Sequence, residues 1–290
     1  MEPCNRSGKV PRDRPLPNSF GGIHLTDGNG TRGDPQVVLD GIGKRFGTNT
    51  VLDGVDLEVR RGESLVLIGP SACGKTVLLK TIMGLMPPDG GSLRIAGHET
   101  VGMSPGARNR TLPKMSMLFQ YGALFDSLRV WENITFRLRR EKRLSRDEAL
   151  AIAIDKLRNV GLPPDTAELF PVELSGGMQK RVGIARAIAD DPEILVLDEP
   201  MAGLDPIMTN AITKLVLKEK RRLDATVVAV TSDMKAAVDL ADRIAMVFEG
   251  HIIWCGPAGE ALTAAEPHLD QFIHSRANGP IKMRLRDRLH

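Results

Sequence analysis

Apolar positions along the chain follow two rhythms. Unbroken apolar runs of strand length stand at Leu65-Val66-Leu67-Ile68, Ile194-Leu195-Val196-Leu197, Thr226-Val227-Val228-Ala229-Val230 and Ile244-Ala245-Met246-Val247-Phe248. Runs without a polar face suit strands covered on both sides, as in a parallel sheet. Two further strand-like stretches, Gln36–Asp40 and Val51–Val59, flank a hairpin turn at Phe46-Gly47-Thr48-Asn49. Helical spacing predicts a helix from about Lys75 to Met86, stopped by Pro87-Pro88-Asp89-Gly90-Gly91. Residues from about 122 to 190 read as mostly helical. Within them Ser145-Arg146-Asp147-Glu148 is a capping box ahead of Ala149, Ile152, Ile154, Leu157 and Val160. A helix at about 207–223 separates two of the late strands, as a parallel βαβ unit requires. The pattern is an α/β core interrupted by a helical insertion, without internal repeat. Residues 1–35, rich in Gly, Pro, Asn and Arg, read as a disordered tail.

The loop after the first buried strand carries chemistry. Gly69-Pro70-Ser71-Ala72-Cys73-Gly74-Lys75-Thr76 fits G-x-x-x-x-G-K-[ST], between a strand and a helix. In such a P-loop the glycines let the backbone curl until successive N–H groups face a phosphate. The helix amino terminus adds partial positive charge. Lys75 is expected to reach the β- and γ-phosphates of a nucleotide, and the Thr76 hydroxyl to ligand Mg²⁺. The strand 194–197 ends in Asp198-Glu199-Pro200. Its carboxyl end is where ligands sit in such sheets. Asp198 is therefore expected to hold Mg²⁺ through water, and Glu199 to polarise the attacking water. Leu174-Ser175-Gly176-Gly177-Met178-Gln179 opens another helix, a second phosphate-binding start if anything faces it, and otherwise an ordinary N-cap.

Composition narrows the classes. The 290 residues carry 39 Lys+Arg against 36 Asp+Glu, a charge of +3, and only 4% aromatics. Neither a basic footprint nor stacking platforms point to nucleic acid. No apolar run approaches the ~18 residues of a membrane span, and no secretory apolar stretch is seen near Met1. Cys4, Cys73 and Cys255 are too dispersed for a disulfide framework or a zinc site, and a reducing cytosol fits. The six histidines have no metal-ligand spacing.

Together these motifs resemble the ATP-binding cassette (ABC) ATPases. Ser175 follows Lys75 by 100 residues and precedes Asp198 by 23, as in that family, and the similarity runs from about residue 37 to 275. The resemblance implies a P-loop NTPase, RecA-like core with a parallel sheet, an antiparallel β-subdomain and a helical insertion at about 122–190, the whole domain spanning 36–275. It makes Gln120 the Q-loop glutamine, Ala202-Gly203-Leu204-Asp205 the D-loop, and Phe46 the ring on which adenine stacks, where the family more often has Tyr. It assigns ATP contacts to Phe46, Gly69, Pro70, Ser71, Ala72, Cys73, Gly74, Lys75, Thr76 and Thr81, and to Ser175, Gly176, Gly177, Gln179 and Asp205. Catalysis falls to Glu199, Lys75, Gln120 and Ser232, and Mg²⁺ to Thr76, Gln120 and Asp198. One P-loop and one signature per chain imply a homodimer with two composite sites.

A subfamily lies nearer. Phe119-Gln120-Tyr121-Gly122-Ala123-Leu124-Phe125-Asp126-Ser127-Leu128 with Val130-Trp131-Glu132-Asn133, Gly203-Leu204-Asp205-Pro206-Ile207-Met208 and Asp270-Gln271-Phe272-Ile273 look like the Mla/Mce-type ATPases. That family energises lipid movement between bacterial inner and outer membranes. The likeness implies an integral membrane permease, an Mce-domain substrate-binding protein reached through the complex, and a peripheral place on the cytoplasmic face of the inner membrane. Residues around 120–133 become the candidate permease-facing groove. A different ABC transporter is the alternative. Repair, chromosome or ribosome-associated ABC proteins need coiled coils, zinc modules or tandem cassettes that do not fit this length.

Two departures matter. The family usually has His where this chain has Ser232, in Thr231-Ser232-Asp233. A serine hydroxyl reaches a γ-phosphate only through water. Two readings compete, an active but slower enzyme and a nucleotide-gated subunit that scarcely turns over. Cys73 reads as a small filler; the alternative is redox sensitivity, through a thiol pKa lowered at the helix start. The last fifteen residues, 276–290, read as a basic tail, with Lys282, Arg284, Arg286 and Arg288 alternating with apolar positions.

Overall fold

A computed structural model describes residues 33–282 apart from Tyr121. The tail assigned to 1–35 and the basic end therefore lie almost wholly outside the described residues. The amino-terminal part forms a hairpin of β1 (Pro35–Phe46) and β2 (Asn49–Arg60), antiparallel from Phe46↔Asn49 outward. β3 (Ser64–Ile68) leads through the P-loop into α1 (Lys75–Ile82). The helix stops four residues before its expected end, where Leu85 N–H folds back 2.9 Å onto the Lys80 carbonyl. Then come β4 (Gly90–Ile95), β5 (His98–Glu99), α2 (Pro105–Thr111) and β6 (Met115–Leu118).

The helical insertion follows, as α3 (Val130–Lys142), α4 (Arg146–Asn159) and α5 (Gly176–Ala187). Ser145 caps α4 with Glu148 in a reciprocal capping box, as the sequence predicts. The chain returns through β7 (Ile194–Asp198), α6 (Pro206–Leu223), β8 (Thr226–Val230), α7 (Met234–Leu240), β9 (Arg243–Phe248), β10 (His251–Pro257), α8 (Ala258–Ala261) and α9 (Pro267–Ile273).

Two sheets result. One has the order β2-β1-β4-β5 and is antiparallel; the other has the order β10-β9-β3-β8-β7-β6. Strands β9, β3, β8, β7 and β6 run parallel, and only β10 is antiparallel, on the edge. Alternation along the buried strands builds both faces of the core. Leu65, Leu67, Val196, Val228 and Val230 pack with Val37, Leu39 and Leu93 of the antiparallel sheet. Val66, Ile68, Leu195, Leu197 and Ala229 pack with Trp131, Ile134, Leu157, Ile184 and Ile212 from the helices. The parallel sheet is thus covered on both sides, which is why its strands lack a polar face. Its carboxyl edge carries every loop that matters below.

Candidate nucleotide site

β3, β8, β7 and β6 are consecutive in the sheet, and at their carboxyl ends stand the P-loop, Ser232, Asp198-Glu199 and Gln120 respectively. The P-loop is tightly wound. Gly69 has φ +141°, and a Cβ there would come 2.1 Å from the Val247 carbonyl oxygen, so no other residue fits. Lys75 is buried, and its ammonium lies inside the loop, donating to the carbonyls of Gly69 at 2.7 Å and Pro70 at 2.8 Å. Ser71 and Ala72 are exposed at the tip, while Cys73 and Gly74 are buried beneath it.

Thr76 Oγ1 donates to Asp198 Oδ1 at 3.2 Å, joining α1 to β7. Burial pushes the Asp198 carboxyl above its ordinary value, against the Thr76 hydrogen bond and the charges of Lys80 and Lys75. A hydroxyl beside a carboxylate is a hard oxygen pair, and Mg²⁺ is held in such sites by one or two carboxylates together with substrate phosphates. The donor set fits that ion, whose charge would also offset the burial of Asp198. Glu199 turns the chain sharply away. It has φ +47°, a conformation costing roughly 1 kcal/mol outside glycine, and its N–H donates to the Val230 carbonyl at 3.0 Å. The turned side chain meets Ser232, whose N–H and Oγ both donate to Glu199 Oε2, at 3.1 and 3.2 Å. The sequence reading sent that hydroxyl toward a phosphate through water. In the structure it holds the carboxylate.

Phe46 sits half-exposed in the β1–β2 turn with the Lys44 ammonium 5.7 Å from its ring centre. Val51 and Leu52, just past that turn, pack against Gly74, so the ring stands on the P-loop's side of the molecule. Gln120 is exposed, and its backbone carbonyl accepts from Lys180 of α5. Ser175 and Gly176 are exposed at the start of α5, where Ser175 Oγ accepts from Met178 N–H at 3.3 Å. None of their hydrogen bonds among the described residues reaches the P-loop of the same chain.

Three expected ATP contacts have their polar groups engaged elsewhere in the chain, and of the two readings of Cys73 the small filler is favoured. Thr81 is not at the phosphate cradle: it is buried in α1, its hydroxyl committed to the Val77 carbonyl at 3.0 Å. Gln179 Nε2 donates to the carbonyl of Pro171 at 2.8 Å, which ties it to its own loop. Asp205 spends its carboxylate on the N–H groups of Ile207 and Met208, both at 2.9 Å, capping α6. Burial pushes the Cys73 thiol up, outweighing the nearby Lys75 charge, so the thiolate that redox sensitivity needs is disfavoured.

Sequence reasoning missed Lys180, while a groove does lie beside the Q-loop, next to the stretch around 120–133 where one is expected. The groove, about 370 Å³, is lined by Met117, Phe119, Phe125, Ile134, Phe136 and Arg137 among others. Phe125 and Phe136 are exposed, their ring centres 4.8 Å apart.

A P-loop, a carboxylate pair at the end of β7 in the same sheet and a helical insertion bearing a second phosphate-type helix start define an ATP-hydrolysing cassette. Residues 52–202 match the ABC transporter family model, and the chain belongs to that family. It is 38% identical over 247 residues to the probable ribonucleotide transport ATP-binding protein mkl of Mycobacterium leprae, covering 85% of this chain and 71% of the relative. It is 35% identical over 238 residues to the intermembrane phospholipid transport system ATP-binding protein MlaF of Escherichia coli K12, covering 82% and 88%. A solved dimeric ATP-binding cassette in a post-hydrolysis state, bound to ADP and Pi, superposes with a TM-score of 0.70 at 30% identity, over 77% of this chain and 98% of that one. The chain is an ATP-binding, ATP-hydrolysing ABC subunit.

Proposed function

We propose that the chain powers phospholipid transport between bacterial inner and outer membranes, as a homodimer docked on an integral membrane permease that works with an Mce-domain protein. The observation that carries the lipid assignment is the similarity to MlaF across 82% of the chain. The Arabidopsis relative, 33% identical over 97% of this chain, bears the name trigalactosyldiacylglycerol 3, which is that of a lipid. No helix among the described residues is long and apolar enough to cross a membrane. The groove with exposed Phe125 and Phe136 offers the apolar seat for a helix of that permease. Attachment there puts the chain peripherally on the cytoplasmic face of the inner membrane.

In this reading the ATP phosphates lie in the P-loop amides of Ser71 to Thr76, and adenine stacks on Phe46. The Lys75 ammonium exchanges the Gly69 and Pro70 carbonyls for phosphate oxygens. Thr76, Asp198 and Gln120 would hold Mg²⁺, which when bound neutralises charge developing on the phosphates. Glu199 orients and polarises the attacking water, held in place by Ser232. The Ser175–Gly177 turn, exposed at Ser175 and Gly176, supplies N–H groups to the ATP of a second copy. Dimeric cassettes among the similar structures support that pairing.

The test is transfer of a fluorescent phospholipid between vesicles by the chain purified with its membrane partners. ATP-dependent transfer that is lost in Glu199→Gln supports the proposal. Movement of ribonucleotides and not phospholipids would replace it with the function named for mkl.

A further inference from the structure

Helix α5 turns one face to the Q-loop. Lys180, Gly183 and Arg186, three residues apart, form a stripe along it. Lys180 Nζ donates to the Gln120 carbonyl. Arg186 donates through Nη2 to the Gly122 carbonyl at 2.6 Å and through Nη1 to the Ala123 carbonyl at 2.8 Å. Between them Gly183 admits the loop, since a Cβ there would stand 2.9 Å from Leu118 Cδ1 and 3.4 Å from Gly122 Cα. Two cations and a close approach thus hold one short non-helical segment. Burial lowers the pKa of both, with the Glu199 charge opposing it at Lys180. Both side chains thus give up part of their contact with water to reach the same loop. The same helix begins at the signature turn, five residues before Lys180, and Gln179 anchors that turn to Pro171.

We propose that Lys180 and Arg186 are positioning residues that join the Q-loop and the signature turn into one rigid piece. Motion of residues 120–123 at the permease groove is then delivered to the ATP held by the partner subunit. The inference rests on the two-copy sandwich proposed above. Lys180 has a rival use, because Glu199 of its own chain lies within electrostatic reach. The two uses have opposite consequences in mixed dimers.

Two differently tagged full-length chains are combined and hetero-pairs isolated in ATP. Pairing Lys180→Met with Glu199→Gln leaves one working site, whose signature comes from a chain with intact Lys180. Pairing wild type with the Lys180→Met/Glu199→Gln double variant leaves one working site, whose signature comes from the altered chain. The first pair is expected to keep about half of wild-type kcat and the second to fall at least about tenfold, with KM for ATP within about twofold in both. Lys180→Arg restores the second pair. Arg186→Lys, a milder change that keeps the charge, gives the same order of activities if Lys180→Met folds poorly. Equal activities, or the reverse order, overturn the proposal. Failure of wild-type chains to pair in ATP overturns the sandwich itself and is seen separately, by size-exclusion chromatography before any variant is assayed.

Discussion

Ser232 and Glu199 form a closed pair: the serine's N–H and hydroxyl both donate to one carboxylate oxygen, Oε2. A serine in this place therefore orients the base, although it cannot extend as far as an imidazole. This favours a working ATPase over a silent one. Wild-type protein is expected to hydrolyse ATP steadily, and Glu199→Gln to lower kcat at least about 100-fold while leaving ATP binding intact. Ser232→Ala should lower kcat only about threefold, because an exposed hydrogen bond contributes about 1 kcal/mol or less. Ser232→His is expected to raise it. Steady-state phosphate release measures all three, and a Ser232→His gain of several hundredfold would favour the silent-subunit reading.

Lys75 is the cation that the P-loop wraps. Lys75→Met should weaken ATP binding at least about thirtyfold, since charge-assisted bonds to phosphate are lost. The buried carbonyls of Gly69 and Pro70 also lose their donor, so the melting temperature without nucleotide should fall slightly. Titration with a fluorescent ATP analogue and a thermal melt check both effects.

Asp190, just beyond α5, is buried and accepts from Lys114 at 3.1 Å, Arg137 at 3.1 Å and Lys142 at 3.0 Å. Burial works to raise its pKa, but hydrogen bonds and charge from Lys142 and Lys114 outweigh it and the net direction is down. A carboxyl depressed in the folded state stabilises the fold above its unfolded value near ~4, and that stability is lost as pH falls through the folded value. Asp190→Asn should cost about 2 kcal/mol at neutral pH, with the three cations themselves half in water. Melting should drop by about 4–8 °C at pH 7 and by much less near pH 3. Equal losses at both pH values would contradict the assignment.

Phe136 lines the groove without touching the P-loop. Phe136→Asp should leave the KM for ATP within about twofold and abolish stimulation of ATPase by the membrane partner. Comparing the free chain with the chain in its complex reads the difference directly.

The phosphate-facing half of the site was legible because its chemistry is local. A strand, a glycine loop and a lysine at fixed offset suffice for Gly69 to Thr76, and Asp198 and Glu199 follow from where a buried strand ends. The long apolar runs gave β3, β7, β8 and β9 to within a residue. β4, β5, α2 and β10 were illegible, being short or on an edge, where alternation is too brief to register. Lys180, Arg186 and Asp190 were missed for a different reason. Their partners lie 48 to 76 residues away, so only the folded topology turns a surface-type side chain inward. Thr81 and Asp205 were assigned by position alone, and helix geometry took them: one hydroxyl turned to its own i−4 carbonyl, one carboxylate to its own N-cap.

β6 and β7 lie side by side and parallel, with Met115 beside Ile194. Everything from α3 to α5 is therefore no more than the crossover that any two such strands require, grown to the size of a subdomain. A crossover is free in length and content so long as both ends meet the sheet in register. The P-loop and Asp198–Glu199 stay at the ends of β3 and β7, while the crossover carries the groove together with Gln120 and the Ser175 turn. Exchanging residues between Leu118 and Ile194 for those of another cassette is thus a route to retarget the motor without touching its P-loop or carboxylate pair.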